Sequence, residues 1–468
     1  ADKAWMKNVV HVVGANDAGT EQQIRPYMNE YSRIVGDTLF GGKVTTFNKF
    51  NSTTASTIEN MVLSSLFETG ISLLTYFGHS SATALDYNLD DPNQYNNPGK
   101  YPVFLLNGCN AGNFFTFEIP RLQAQSTISE RYVLAPNRGA IGLVASTHFG
   151  LVSGLGVYSR GFYQSVSYKD YNQPIGRHIQ NSVQFMYNNW GTDYQARFHT
   201  EQQTLHGDPA IKLNSFAKPD YSIETSNIFI EPSFISIAET QFKTKIYYEN
   251  IGKAINDSIM VDIKRNYPRS AIYPNGFTET VYRQKRKAPM YLDSLEFTLE
   301  IKSERDKGIN QLVVVLDEGN KISELSELNN SLTREIVIFE NELRPVYPVN
   351  FAIVNQSNVK LVASTANPVS EPLTYVMEMD TTDLFNSAAK ISKVITAPGG
   401  IVEIDPGITL VNNRVYYWRL GLQGPAGGAP LRWNHSSFIY MAGPETGFNQ
   451  SHFYQHTKSN GDRISIDT

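Results

Sequence analysis

Ile71-Ser72-Leu73-Leu74-Thr75-Tyr76-Phe77-Gly78-His79 and Val103-Phe104-Leu105-Leu106-Asn107-Gly108-Cys109 decide how this chain reads. Each is a short continuous apolar run closed by a glycine, the pattern of a strand buried on both faces of a parallel sheet. The first run ends on an imidazole and the second, thirty residues further on, ends on the only thiol of the chain. In an open α/β sheet, ligands bind in the crevice outside the carboxyl ends of the strands. A base and a nucleophile at two such ends predict a cysteine dyad facing one crevice.

The flanking sequence supports the same sheet. Asn8-Val9-Val10-His11-Val12-Val13-Gly14 is another continuous apolar strand, and Glu21 to Val35 carries Ile24, Tyr27, Met28, Tyr31, Ile34 and Val35 at helical spacing. Gly42 to Phe47 reads as a strand, Ser56 to Phe67 as a helix ended by Gly70, Glu118 to Tyr132 as a helical region and Gly139 to Ser146 as a further strand. Alternation of this kind predicts a mostly parallel sheet with right-handed crossovers and helices on both faces. Past Phe216 the helical period stops, and Pro219, Pro232 and many Asn, Ser and Thr residues break the chain into short alternating strands. Lys243–Asn250, Ser258–Ile263 and Gln311–Asp317 read as one β-sandwich, and Val359–Ala363, Leu373–Met379 and Val415–Leu420 as a second, with Glu340 to Pro345 between them. The expected division is therefore an α/β domain over 1–216, sandwiches over 217–343 and 344–442, and a linker or tail over 443–468.

The bulk numbers agree with a multidomain chain. At 468 residues one core does not suffice, and about 100–200 residues per domain gives two to four domains. The chain is 41% hydrophobic and 18% charged, with mean hydropathy −0.31, and no apolar run approaches the ~20 residues of a spanning helix. A net charge of −5 with scattered Lys and Arg lacks the basic stripe that releases counterions from phosphate, so nucleic acid is not an expected partner. With one cysteine there is no internal disulfide, and a chain rich in Tyr and Phe yet nearly free of Cys has the composition of a bacterial surface protein. A thiol retained in that setting points to a use. The start, Ala1-Asp2-Lys3-Ala4-Trp5, has neither the basic nor the apolar region of a signal peptide, so the sequence reads as a fragment of a longer chain.

Cys109 sits in Gly108-Cys109-Asn110-Ala111-Gly112, where small residues admit a substrate and leave amides for an oxyanion. The competing reading is a buried inert thiol. His79, in Phe77-Gly78-His79-Ser80-Ser81, is placed to take the thiol proton and return it to a leaving amine; a polar loop histidine capping the next helix is the alternative. Asp17, in Gly14-Ala15-Asn16-Asp17-Ala18-Gly19, lies where an orienting carboxylate is expected, with Glu21 close behind, and either also suits a helix cap or first turn. His199 and His206 miss the spacing that puts two zinc ligands on one helical face. Asp86, Asp90 and Asp91, with Asn93 and Asn96, form an acidic loop that could hold a structural calcium ion, but the EF-hand pattern is absent and a solvated loop is the favoured reading. Glycine-rich phosphate loops are missing, so no nucleotide and no other cofactor is expected.

Four segments in order resemble the gingipain-like cysteine peptidases of family C25, whose catalytic sheet is caspase-like. They are Thr75–Ser81, Phe104–Phe114, Val144–Thr147 and the Gly207-Asp208-Pro209 turn within His206–Ile211. The resemblance covers roughly 1–216 and implies Cys109 as nucleophile, His79 as general base, Asp17 as the acid beside the histidine, and the backbone around Gly78, Ser80 and Cys109 as oxyanion donors. Where the family writes Gly-His-Gly this chain has Ser80, and the acid that directs arginine or lysine specificity has no counterpart. Tyr247–Ala254 with Leu316–Asn330 looks like a CARDB adhesion module, and Asp380–Phe385 with Tyr416–Arg419 is similar to fibronectin-III-like modules. That order is similar to PorU-type sortases of the type IX secretion system. It implies an extracellular or outer-membrane-surface peptidase or transpeptidase acting on proteins with C-terminal sorting domains, beside other outer-membrane secretion components. The alternative is a retired peptidase fold serving as a scaffold.

Overall fold

The computed structural model describes residues 3–15, 17–49, 53–115, 126–237, 239–339, 343–368, 372–423, 431, 433–444 and 446–448. Its first part follows the order β1 (Asn8–Gly14), α1 (Ala18–Gly36), β2 (Lys43–Asn48), α2 (Thr53–Thr69), β3 (Leu73–Gly78), β4 (Val103–Asn107), α3 (Ile128–Val133), β5 (Gly142–Ser146), α4 (Val152–Gln164), α5 (Ile175–Trp190), α6 (Tyr194–Glu201) and β6 (Gln203–Gly207). The strands form one sheet in the order β2-β1-β3-β4-β5-β6. Neighbours from β2 to β5 are parallel, and β6 closes the sheet antiparallel. Of the helical region expected over 118–132, Ile128–Val133 is α3, and residues 118–125 lie outside the described residues.

Strict alternation along the buried strands makes two cores, because successive side chains of a strand point to opposite faces. Val9, Val13, Leu73, Phe77, Val103 and Leu105 pack against α1, α4 and α5. Val10, Val12, Leu74, Tyr76, Phe104 and Leu106 pack against α2 and α3. Continued past the strand ends, the period of two puts His79 on the face of Phe77 and Cys109 on the face of Asn107, which is the α1/α4 face.

Two β-sandwiches follow. The first pairs a sheet of Leu292–Glu300, Gln241–Asn250, Tyr221–Ser222 and Ile228–Glu231 with one of Phe277–Lys287, Ser258–Tyr267, Gly308–Val315, Ser331–Phe339 and Ile235–Ser236. Tyr248, Ile263 and Leu312 lie in its core. The second is built around Trp418, Leu361 and Phe438. One strand of it, Gly447–Phe448, lies in the stretch read as a tail and pairs with Ala352–Ile353.

The first sandwich docks on the amino ends of β1 and β2. Lys7, in the 3-10 helix Ala4–Lys7 that leads into β1, is fully buried and donates to Gly252 O (2.5 Å) and Met290 O (3.3 Å). The Ala254 amide donates to Leu39 O (2.9 Å), and a β-carbon on Gly41 would sit 2.2 Å from Met290 O. The seven residues of β1 separate this joint from the carboxyl rim by about 20 Å.

Desolvation pulls the Lys7 ammonium down to about 7, against ~10.4 in an unfolded chain. Between those values the folded chain holds fewer protons than the unfolded one, so this group's contribution to stability rises with pH across that window. Replacing Lys7 with Met is expected to remove a slope of up to ~1.4 kcal/mol per pH unit from the stability measured by urea unfolding between pH 7.5 and 9. Parallel curves for the two proteins would refute it.

Candidate active site

β3 and β4 run side by side with Phe77 opposite Asn107, and β1 meets β3 at Gly14 and Gly78. The two chains therefore leave the sheet together at the same rim, one carrying His79 and the other Cys109. His79 is exposed and Cys109 half-buried. Three glycines allow the approach: a β-carbon on Gly78 would lie 2.2 Å from Gly14 O, one on Gly14 2.2 Å from Tyr76 Oη, and one on Gly108 2.1 Å from Ser80 Oγ. Ser80 Oγ donates to Cys109 O at 2.8 Å, which ties the histidine turn to the cysteine turn. Ser80, the departure from Gly-His-Gly, is thus a cross-link between the two.

The histidine turn is held by its backbone. The His79 amide donates to Gly14 O (3.2 Å), and its carbonyl accepts from the Asp86 amide (3.0 Å) and from Tyr76 Oη. Gly78 is engaged in the ladder with Gly14. Among the described residues neither the Ser80 nor the Cys109 amide has a hydrogen-bond acceptor.

Asp17 is the N-cap of α1: its carboxylate accepts from the Thr20 amide (2.9 Å) and the Thr20 hydroxyl (2.7 Å). These bonds hold the carboxyl below its usual range, with a smaller contribution from the charge of His79. Among the described residues no hydrogen bond joins Asp17 to His79. Cys109 Sγ is also turned elsewhere, toward Gly150 O at 3.9 Å, and no hydrogen bond joins it to His79.

The cysteine turn leans on the loop that follows β5. Asn110, in the left-handed region at φ 60°, donates from its amide to His148 O (2.9 Å), and the Gly112 amide donates to Ser146 O (2.9 Å). Nothing local in the sequence pointed to Gly150 or to this loop. His206 packs edge-on against Phe114, 4.9 Å between ring centroids, and is held below its usual range by burial. The acidic loop spreads its carboxylates over separate partners: Asp86 pairs with Lys49, Asp90 accepts from the Leu85 amide (2.6 Å) and Asp91 from the Asn93 amide (2.9 Å). Among the described residues no three His, Cys, Asp or Glu side chains converge as metal ligands.

Comparison with known proteins gives a family match for the part of the chain that builds this rim. Residues 1–214 match Peptidase family C25. No curated protein matches the sequence. Among solved structures, the Arg-specific cysteine proteinase gingipain R (RGPB) is 14% identical, covering 72% of this chain and 68% of its own with a TM-score of 0.38. A complex of the pro- and mature domains of RgpB comes from Porphyromonas gingivalis. A CARDB domain from Pyrococcus furiosus is 18% identical over 26% of this chain and 90% of its own, TM-score 0.19. A two-domain fibronectin type-III segment from chicken tenascin is 12% identical over 47% and 98%, TM-score 0.16.

The contact at Gly108 is open to a direct test. Gly108→Ala drives a methyl into Ser80 and is expected to destabilise the protein by about 1–3 kcal/mol, as overpacking does. Ser80→Gly removes the obstructing atoms, so the double variant is expected to recover most of the loss in a double-mutant cycle followed by chemical denaturation. Additive losses would show that the two turns are not in contact.

Proposed function

We propose, from the premise that residues 1–214 are a domain of peptidase family C25, that this chain is a cysteine peptidase of the type IX secretion system. In this reading it cleaves proteins that carry C-terminal sorting domains, at the extracellular face of the outer membrane and beside other secretion components. One observation supports it above the others: β3 and β4 end in register, so that His79 and Cys109 leave the sheet at one rim and are tied there by Ser80 Oγ on Cys109 O.

The chemistry follows from that placement. The Cys109 thiol passes its proton to the His79 imidazole, and the sulfur adds to the scissile carbonyl carbon, forming a C–S bond and an oxyanion. The Ser80 and Cys109 amides are directed to that oxyanion. When the C–N bond breaks, the imidazolium returns the proton to the leaving amine and a thioester remains. Water resolves it to an acid, whereas an amine resolves it to a new amide, the transpeptidase outcome expected of a sortase. Asp17 acts on His79 through charge, its oxygens being engaged with Thr20. The first sandwich, docked at the opposite end of the sheet, leaves the substrate path clear and is available to other partners.

A scaffold role is the second reading, favoured by the Cys109 thiol resting on Gly150 O instead of His79. Cys109→Ala in the full-length protein separates the two. Peptidase function predicts cargo that keeps its sorting domain, and His79→Ala is expected to slow cleavage by about 10²–10⁴-fold, the usual contribution of a general base. Normal cargo maturation in cells carrying Cys109→Ala would overturn the proteolytic reading and leave the scaffold.

A further inference from the structure

We propose that His199 is a positioning residue for Cys109, holding the thiol in a resting orientation through the loop between β5 and α4. The proposal rests on Cys109 being the nucleophile, and it adds a residue that no sequence pattern had placed near the site. His199 is fully buried on α6, edge-on to Trp190 and Phe198. Its slot exists because α4 has a glycine there: a β-carbon on Gly154 would lie 2.4 Å from the imidazole ring.

The ring's two bonds assign its protonation. Nδ1 lies 2.8 Å from Gln195 O, which can only accept, so Nδ1 carries the hydrogen. Nε2 lies 3.0 Å from the Leu151 amide, which can only donate, so Nε2 is the acceptor. His199 is thus the neutral Nδ1–H tautomer, and burial, which lowers its basicity, keeps it so. Through Leu151 it fixes the neighbouring Gly150 carbonyl, and that carbonyl receives the Cys109 thiol proton.

The rest of the loop is held from the same helix end. Gln202 O accepts from the Thr147 amide (2.9 Å), and Gln202 Nε2 donates to Phe149 O (2.8 Å). On its other side the loop supports the cysteine turn through His148 O and Ser146 O. The backbone is therefore pinned while the Phe149 and Leu151 side chains stand 60% and 51% exposed. The contact directs the sulfur to Gly150 O and leaves it unbonded to His79. Withdrawing the His199 acceptor frees Leu151 and Gly150, and the sulfur can then turn to the imidazole.

Alkylation of the purified chain with iodoacetamide at neutral pH, followed by intact mass, reads this directly, because the chain has a single cysteine. The thiolate displaces iodide and forms one S–C bond. His199→Leu is expected to be alkylated several-fold faster than the parent protein. His199→Gln, whose side-chain oxygen can again accept from Leu151, is expected to return to the parent rate. A merely structural role for the ring would shift the melting temperature without that rescue. Leu151→Pro deletes the donor itself while leaving α6 untouched, at a position whose φ of −83° a proline tolerates. It is expected to match His199→Leu, and it carries the test should the latter fail to fold. Parent-like alkylation in a folded His199→Leu or Leu151→Pro protein would overturn the proposal. Cargo processing in Cys109→Ala is independent of these rates, so the peptidase reading and the role of His199 fail separately.

Discussion

Between the turns that carry His79 and Cys109 there is no space for a β-carbon. Gly14 lies under Tyr76, Gly78 under Gly14, and Gly108 under Ser80, a line of contacts across β1, β3 and β4. Each glycine costs about 0.5–1 kcal/mol of extra backbone entropy on folding. Close backbone approach is what that cost makes possible: it sets the separation of the turns and brings Ser80 Oγ onto Cys109 O. A rim built from larger residues would splay the strands and break the contact between Ser80 and Cys109.

The rest of the α/β domain keeps that rim rigid. Its sheet is buried on both faces by separate cores, so the strand ends cannot twist independently. At the far end the buried Lys7 joins the sheet to the first sandwich by donating to two carbonyls. An apolar side chain at that place would fill the same volume, but only a donor reads the positions of Gly252 O and Met290 O. The joint therefore specifies how the sandwich sits as well as that it sits, the use for which buried polar groups are best attested. Because it lies at the amino ends of the strands and the site at the carboxyl ends, this joint stands apart from the rim.

Much of this was legible in the amino-acid sequence, for identifiable reasons. Strands β1, β3 and β4 follow from continuous apolar runs closed by Gly14, Gly78 and Gly108, since a parallel strand buried on both faces has no polar side to confuse the period. β6 was read only as the lead into a Gly-Asp-Pro turn, because Gln203-Thr204-Leu205-His206-Gly207 is half-buried and edge-like. The two-residue strand Gly447–Phe448 is too short to show any period. His199 could not be read toward the site at all: it acts through a backbone amide 48 residues away, and side-chain patterns carry no trace of such a partner. Asp17 was open to two roles, and the geometry assigns its oxygens to the helix cap.

That division bears on how the site would work. A carboxylate that is exposed and already accepts two hydrogen bonds orients an imidazole weakly, since water screens its field. A serine nucleophile would suffer for this, because its hydroxyl needs a strongly supported base. A thiol ionises far more readily and is intrinsically nucleophilic, so a cysteine dyad depends less on a third residue. What decides reactivity here is then the orientation of the sulfur. Its resting bond to Gly150 O, at 3.9 Å, is made by a weak donor, so the hold depends on that carbonyl being fixed by the bond from the Leu151 amide to His199. In the proposed mechanism the proton moves when the sulfur leaves Gly150 O for the imidazole, and the loop braced by His199 and Gln202 carries the first of those acceptors.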